Sequence, residues 1–389
     1  MSAASPFEFA SAGRILFGSG VLAKVPALVR ELGIERVFLL TGRTPERART
    51  VRMALEGAGI AVASFAVAGE PTVPMVRSAL EQARASRCDG VVAFGGGSAI
   101  DAGKAVAALL ANGGDPMDYI EVVGRGQVLK ARSVPTLAIP TTAGTGSEVT
   151  KNAVLGVPEF GIKASMRSVG MLPTVAVVDP DLLQGTAPEV IAACGLDALS
   201  QLIEPFVSIA AHPMTDALAR TGIVASARAL ERVYSGQGTA ALRDDLALAS
   251  VLGGLCLANA GLGAVHGFAA PIGGMFDAPH GAVCAALLPA VMETNHAALQ
   301  ARAPSDPRLQ RFAEVAAMLT GNDDASAADG VAWVSALCGR LSLPGLARYG
   351  VTSAQLGELV SRGKNASSMK KNPIVLTDAE LHAILERSL

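Results

Sequence analysis

Short apolar runs alternate with helix-period segments through the first half of the chain. Three runs rich in Val, Leu, Phe and Ala are each followed by a stretch of helical periodicity, and two further runs are ended by Pro or Asp: 35–40, 62–67, 90–94, 136–140 and 174–178. Strands that alternate with helices at this spacing favour right-handed βαβ units. The pattern therefore predicts a mainly parallel sheet covered by helices.

The pattern changes near residue 185. Later segments follow the helical period without a clear strand, for example 190–208, 212–234 and 244–261. A Pro-containing stretch at 179–190 separates the two regions. We therefore predict an α/β domain over residues 1–185 and an all-helical domain over residues 186–389.

Residues 246–276 contain no Asp, Glu, Lys or Arg, and about 20 apolar residues are enough to span a membrane. The stretch also holds seven Gly, together with Asn259, His266 and Pro271, and lacks the aromatic belt and basic flank of a membrane span. We therefore expect a buried helix followed by a Gly-rich turn, and no membrane partner.

Composition narrows the classes of protein further. The 389 residues are 50% hydrophobic and 17% charged, which excludes disorder for most of the chain. A net charge of -2 offers no electrostatic footprint for nucleic acid. The N-terminus shows no secretory signal, and the five cysteines lie singly in apolar segments. We expect reduced core thiols and a cytoplasmic protein, the thiols being Cys88, Cys194, Cys256, Cys284 and Cys338.

Two turns at the ends of predicted strands suit a dinucleotide. Gly95, Gly96 and Gly97 stand between a strand and a helix that Ser98 opens, so the backbone can approach a diphosphate at a helix N-terminus. A tight turn without a ligand is the alternative. The turn after the next strand supplies hydroxyl groups where ligands of open α/β sheets bind, from Thr141, Thr142, Thr145 and Ser147.

The end of the run at 35–40 bears on the choice of cofactor. An acidic residue in such a position holds the adenosine ribose of NAD, whereas a small residue with a nearby Arg accepts the 2′-phosphate of NADP. The chain has Gly42 followed by Arg43, which favours NADP over NAD. A surface turn with solvated arginines is the alternative interpretation.

The second half offers candidate metal ligands. Asp197 and Gln201 are four residues apart and share a helix face, and His266 and His280 lie in apolar segments. Buried polar groups are usually paired or metal-bound, and Asp oxygen with His nitrogen suits iron or zinc. A hydrogen-bonded core histidine is the alternative for each residue alone. We expect His212, His296 and His382 to lie on the surface.

Several segments, in order along the chain, resemble the iron-containing (group III) alcohol dehydrogenase family. They are GGGSAIDAGK, PTTAGTGSEVT, CGLDALSQLIE, GLGAVHGFAAPIGGMFDAPHGAVCAALLP and SSMKKNPIVLTDAELHAILERSL. The resemblance implies a Rossmann-like nucleotide-binding domain, a helical domain, an active site in the cleft between them, and a homodimer.

The resemblance also implies roles for individual residues. Asp197, His266 and His280 match three metal ligands of the family and are the expected catalytic residues. Gly42 stands where NAD-preferring members carry Asp. The implied cofactor contacts are Gly42, Arg43, Gly95, Gly96, Gly97, Ser98, Asp101, Thr141, Thr142, Thr145, Ser147 and Lys163.

The chain departs from the family pattern at two positions. The first histidine ligand of the family is Gln201 here, and the histidine that follows four residues after His266 is Ala270. An amide oxygen is a weaker donor than imidazole, so the metal, iron or zinc, would have Gln201 as a weak fourth ligand. Loss of the second histidine removes a candidate for relaying the alcohol proton.

We therefore predict an NAD(P)-dependent oxidoreductase that interconverts an alcohol and an aldehyde or ketone by metal-assisted hydride transfer. Three alternatives stay open. One is a metal-independent reductase resembling maleylacetate reductase, whose oxo diacid would meet Arg125, Lys151 or Lys163. Another is a cyclase of the dehydroquinate synthase type, which the uncharged stretch disfavours. The last is a nucleotide-binding protein without catalysis.

Overall fold

The computed structural model describes residues 6–276 and 278–389. Two compact units emerge from the contacts of the chain. One comprises Ala10–Thr142 and Gly146–Gln184, and the other comprises the described residues 6–9, Ala143–Thr145 and Gly185–Leu389. Thr141 and Thr142 therefore belong to the first unit and Thr145 to the second.

A six-stranded parallel sheet forms the centre of the first unit. The strands of this unit are β1 (Arg14–Phe17), β2 (Arg36–Thr41), β3 (Ala61–Ala66), β4 (Gly90–Gly95), β5 (Thr136–Pro140), β6 (Asn152–Val157), β7 (Ile162–Arg167) and β8 (Val175–Val178). The sheet order is β1-β8-β5-β4-β2-β3, and β6 and β7 form a separate antiparallel hairpin. The predicted parallel α/β architecture is confirmed, whereas β1 and the hairpin were not predicted.

Helices cover the sheet, and the two strands at its centre are buried along their whole length. Every residue of β4 and β5 is buried, as expected for parallel strands with helices on both faces. The helices of this unit are α1 (Val25–Glu31), α2 (Arg49–Gly57), α3 (Val73–Ala85), α4 (Gly97–Asn112) and α5 (Pro116–Tyr119). Gly103 lets α4 approach the sheet, because a Cβ there would lie 2.7 Å from the Cβ of Ala93.

The second unit is helical. Its helices are α6 (Pro188–Val207), α7 (Pro213–Tyr234), α8 (Ala240–Ala260), α9 (Ala264–Met275), α10 (His280–Arg302), α11 (Arg308–Thr320), α12 (Ala327–Arg340), α13 (Leu356–Gly363) and α14 (Asp378–Arg387). None of the described residues after 185 belongs to a strand, so the predicted all-α character is confirmed.

The uncharged stretch 246–276 folds as the end of α8, a turn and α9, with the two helix axes at 98°. By length and composition this bent pair could form one membrane span, and α6 and α10 could each form another. In the fold, however, 78% of the apolar window of α6 and 67% of that of α10 is buried inside the protein. The apolar surface of these helices is thus largely used as core.

Candidate active site

Helix α6 carries three buried polar side chains on one stripe. Asp197, Gln201 and Glu204 are spaced four and three residues apart, which brings them to the same helix face, and they are 2%, 3% and 4% exposed. Apart from Ser200, the positions directly beside these residues on the helix are apolar, and all of them are buried. Such a stripe inside a core is costly unless its polar groups are partnered.

Helices α9 and α10 bring further donor groups to Asp197. His266 lies in the first turn of α9, and α10 begins at His280, with Cys284 one turn later. Asp197 Oδ1 lies 3.2 Å from His266 Nε2 and 3.6 Å from His280 Nε2. Cys284 Sγ lies 3.8 Å from each of these two nitrogen atoms. We call these four residues the donor cluster; their ligand atoms all lie within 4.8 Å of one another.

Glu204 fixes the orientation of His266. The Nδ1–H of His266 donates to Glu204 Oε2 at 2.7 Å, and the backbone N–H of Val265 donates to Glu204 Oε1 at 2.7 Å. With its Nδ1 proton engaged, His266 presents Nε2 to Asp197 Oδ1. Both facing atoms are acceptors in the neutral tautomer, so a proton or a cation has to lie between them.

The charges of the donor cluster support one another. Burial disfavours the Asp197 carboxylate, but the two facing imidazoles outweigh it and hold its pKa at about 2. Burial likewise lowers the pKa of His266, and Cys284 and Asp197 together raise it well above its usual value. Cys284 and Asp197 raise the pKa of His280 to about 9 against the effect of burial. Positive charge is therefore stabilised at the centre of the cluster.

Gln201 lies beside the cluster as an incompletely satisfied side chain. It donates a side-chain hydrogen bond to Asp197. Its Oε1 atom is buried and has no hydrogen-bond partner within residues 6–276 and 278–389. Ala270 is exposed on α9, one turn after His266, and carries no group that could exchange a proton.

Three outcomes were not foreseen. Cys284 is not a core thiol in apolar surroundings but faces both histidines, and Glu204 supports His266. The spacings 280 to 284 and 197 to 204 place these residues on the correct helix faces and could have identified them. His212, expected on the surface, is 7% exposed and stacks on Phe7 at a ring-centroid distance of 4.1 Å.

In the α/β unit, the Gly-rich turn links β4 to α4. The helix begins at Gly97 rather than Ser98, and Gly96 at its N-cap offers no side-chain cap to the first amides. Gly95 packs closely, because a Cβ there would lie 2.7 Å from Ala99 Cβ and 3.1 Å from the backbone nitrogen of Gly42. The backbone amides at this helix start are therefore free of side-chain cover, which suits an anionic ligand.

The neighbouring turn forms a buried network. Ser147 Oγ donates to Asp101 Oδ1, whose second oxygen accepts the Val154 N–H at 2.9 Å. Lys104 Nζ lies 3.0 Å from Asp101 Oδ1 and donates to the Ser147 carbonyl at 2.9 Å. Asp101 and Ser147, both predicted cofactor contacts, thus hold each other and shape the turn.

The other predicted cofactor residues are spread over the chain. Among the described residues, no atom beyond the neighbours of Gly42 in the chain lies within 4 Å of the position that a Cβ on Gly42 would occupy. Arg43 Nε donates to the Ala68 carbonyl at 2.9 Å. Lys163 Nζ pairs with Glu70. Thr142 Oγ1 would lie 3.3 Å from a Cβ on Gly96, so its hydroxyl borders the Gly-rich turn.

Comparison with known proteins gives matches over nearly the whole chain. A family model described as iron-containing alcohol dehydrogenase matches residues 12–180, and the C-terminal model of the same family matches residues 191–389. Alcohol dehydrogenase 4 of Schizosaccharomyces pombe is 33% identical over 380 residues, which cover 96% of this chain and 87% of that protein.

Two further relatives extend the comparison. The 4-hydroxybutyrate dehydrogenase of Cupriavidus necator is 32% identical over 378 residues, covering 95% of this chain and 96% of that protein. The crystal structure of a 1,3-propanediol oxidoreductase superposes with a TM-score of 0.91 at 31% identity, covering 99% of this chain and 100% of that one. The similarity therefore includes sequence and fold together.

Proposed function

The chain belongs to the iron-containing alcohol dehydrogenase family, and from that premise we propose that it interconverts an alcohol and an aldehyde or ketone by hydride transfer with NAD(P), assisted by a divalent cation. The donor cluster is the observation that supports a role for a cation. We also propose that the enzyme is a cytoplasmic homodimer, on the basis of the family resemblance.

The residues of the donor cluster fit a divalent cation. Carboxylate oxygen, imidazole nitrogen and thiol sulfur converge within 4.8 Å, and an orphaned amide oxygen of Gln201 lies beside them. Zinc and iron accept these ligand types. Asp197, His266 and His280 would hold the cation, and Gln201 is available as a weak oxygen donor.

The α/β unit supports binding of the cofactor. An uncapped helix start after a Gly-rich turn at the carboxyl end of β4 is suited to a diphosphate. Gly42 leaves room at the end of β2, with Arg43 beside it. This combination favours NADP over NAD, since neither residue is an acidic partner for the ribose hydroxyls.

When bound, the cation supplies Lewis acidity toward the alcohol or carbonyl oxygen, and NAD(P) carries the hydride. The chain's own residues prepare the cation site. Glu204 accepts the hydrogen bond from the Nδ1–H of His266, so that Nε2 is the nitrogen directed at Asp197 and offered to the cation. His280, with a side chain 39% exposed, forms the accessible side of the cluster. Ala270 offers no base, so the alcohol proton has to reach another acceptor.

The test is steady-state turnover by metal-depleted and metal-restored protein. We expect reduction of NADP⁺, and more slowly of NAD⁺, with short alcohols, 1,3-propanediol or 4-hydroxybutyrate, lost on chelation and restored by zinc or iron. Activity that survives complete metal removal, with maleylacetate strongly preferred over aldehydes, would establish a metal-independent oxo acid reductase instead. No reaction with either cofactor over the panel would contradict the proposal.

A further inference from the structure

We propose that Cys284 replaces the missing histidine as the fourth ligand of the cation, so that the site binds zinc in preference to iron. This inference rests on the proposed function, because it concerns the cation that assists hydride transfer. The ligand set would be one carboxylate, two imidazoles and one thiolate, from Asp197, His266, His280 and Cys284.

The spacing of the four ligand atoms matches a tetrahedral zinc site. Zn–S bonds of about 2.3 Å and Zn–N or Zn–O bonds of about 2.0–2.1 Å, at the tetrahedral angle, place ligand atoms about 3.3–3.6 Å apart. The distances from Asp197 Oδ1 to His266 Nε2 and His280 Nε2 are 3.2 and 3.6 Å. Those from Cys284 Sγ to the two nitrogen atoms are both 3.8 Å. These four distances lie within a few tenths of an ångström of the tetrahedral values, and the two remaining pairs of ligand atoms lie within 4.8 Å.

Cys284 differs in its surroundings from two other thiols, the buried Cys256 and the half-buried Cys338. Cys256 and Cys338 donate to the backbone carbonyls of Thr215 and Ala285, each at 3.5 Å. Cys284 instead directs its sulfur at two imidazole nitrogens, and its side chain is fully buried. A thiol between two histidines and a carboxylate is the environment of a metal ligand rather than of a small core residue.

Gln201 complements this arrangement. The amide N–H of Gln201 donates a hydrogen bond to the Asp197 carboxylate and so holds it in place. Gln201 therefore orients Asp197 and is not itself a strong ligand for the cation. The donor that α6 lost is thereby supplied by α10, one turn beyond His280. The thiol of Cys284 on α10 thus compensates for the imidazole that is missing at Gln201 on α6.

A thiolate changes the preference for the metal. Soft sulfur favours zinc, and a d¹⁰ ion has no geometric preference of its own, so it would take the alcohol or carbonyl oxygen as a fifth ligand beside the four protein ligands. Binding converts the Cys284 thiol to a thiolate that coordinates the cation, and the thiol proton leaves to solvent. We therefore expect the purified protein to hold zinc more tightly than Fe²⁺.

The experiment is anaerobic reconstitution of the metal-free full chain with Co²⁺, followed by absorption spectroscopy. Thiolate ligation gives an intense near-ultraviolet charge-transfer band in addition to the visible d–d bands of tetrahedral cobalt. We expect this band in the wild type and in the control Cys338→Ala, and its loss in Cys284→Ser with the visible bands retained. Zinc affinity of Cys284→Ser should fall by at least about tenfold.

The outcomes separate this inference from the proposed function. Stoichiometric cobalt without the charge-transfer band in the wild type would overturn Cys284 ligation, even with chelator-sensitive turnover intact. Absence of any cobalt or zinc binding would overturn it as well, and NAD(P)-dependent turnover would then show whether hydride transfer survives without the metal. If Cys284→Ser fails to fold, Cys284→Ala and the presence of the band in the wild type decide the question.

Discussion

At the scale of single residues, the donor cluster depends on the two positions at which the chain departs from the family pattern, Gln201 and Ala270. Gln201 removes an imidazole but leaves an amide that holds Asp197. Ala270 removes an imidazole and leaves only a methyl group on the exposed side of α9. Cys284 compensates for the imidazole missing at Gln201. At Ala270, by contrast, no ionisable group among the described residues of the same helix turn replaces the imidazole.

Glu204→Gln tests the support of His266. The carboxylate accepts from both Val265 N–H and His266 Nδ1–H, and an amide accepts at one end only, so one donor loses its partner. We expect zinc affinity to fall by about 10- to 100-fold. Competition with a chromophoric chelator measures this change.

The matched control is Glu293→Gln, an exposed carboxylate on α10 that pairs with Arg387. Its zinc affinity should equal that of the wild type. Equal affinities for Glu204→Gln and Glu293→Gln would show that His266 needs no anchor. A folded circular dichroism spectrum for both variants is required for the comparison.

At the scale of elements, the cluster depends on how closely α10 approaches α6. A Cβ on Gly281 would lie 2.2 Å from the backbone carbonyl oxygen of Ala193, a distance that a side-chain rotation cannot relieve. Gly281 follows His280 directly and stands three residues before Cys284. The glycine therefore sets the distance between the ligands on α10 and Asp197 on α6.

Gly281→Ala should force α10 away from α6. We expect a loss of about 1–3 kcal/mol in the free energy of unfolding, as for other overpacked contacts, together with weaker zinc binding. Thermal melting of the metal-free protein and zinc titration measure the two effects separately.

Gly339→Ala on α12 is the comparison variant, because in the described part of the chain no atom outside its own helix turn lies within 4 Å of its Cβ position. It should be neutral or stabilise the protein by about 0.5–1 kcal/mol, since alanine is the better helix former. A Gly281→Ala protein as stable as Gly339→Ala, with unchanged zinc affinity, would refute the close-approach argument.

At the scale of the whole molecule, the buried carboxyl group of Glu148 in the α/β unit lowers the free energy of unfolding when it is charged. Lys104 and Glu148 are each 1% exposed. Lys104 donates to Thr150 Oγ1 at 2.9 Å, whereas Glu148 Oε1 is without a hydrogen-bond partner in the described part of the chain. Burial raises the pKa of Glu148 from 4.5 to about 7, against the positive charge of Lys104.

The raised pKa means that the folded protein binds this proton more tightly than the unfolded chain. The contribution of this proton to the free energy of unfolding is complete below pH 4.5 and is lost as the pH rises through about 7. We expect Glu148→Gln, which carries no charge at any pH, to gain stability relative to the wild type by up to about 3 kcal/mol over this range.

Melting temperatures at pH 4.5, 5.5, 7 and 8 measure this difference, with Glu159→Gln at an exposed site of the same unit as the control. The control should follow the wild-type profile. A constant difference between the wild type and Glu148→Gln across the range would show that folding does not raise the pKa of Glu148.

Much of the architecture could be predicted from the sequence. The apolar runs at 35–40, 90–94 and 136–140 became strands within one residue of their expected bounds, because buried parallel strands are continuously apolar. Strand β1 and the hairpin strands β6 and β7 were missed, since β1 has only four residues, Gly156 interrupts the apolar run of β6, and β7 is half polar. The preference for NADP, the homodimer and the cytoplasmic location stay predictions.

The sequence by itself determined the family, the parallel sheet, the helical second half and the identity of Asp197, His266 and His280 as a related set, because spacing and residue type are local properties of the chain. Only the tertiary structure decided which partners meet them. Helices α6, α9 and α10 cross at distances that close-packed contacts such as Gly281 permit. That packing brings Cys284 and Glu204 to the histidines from positions whose sequence context is apolar.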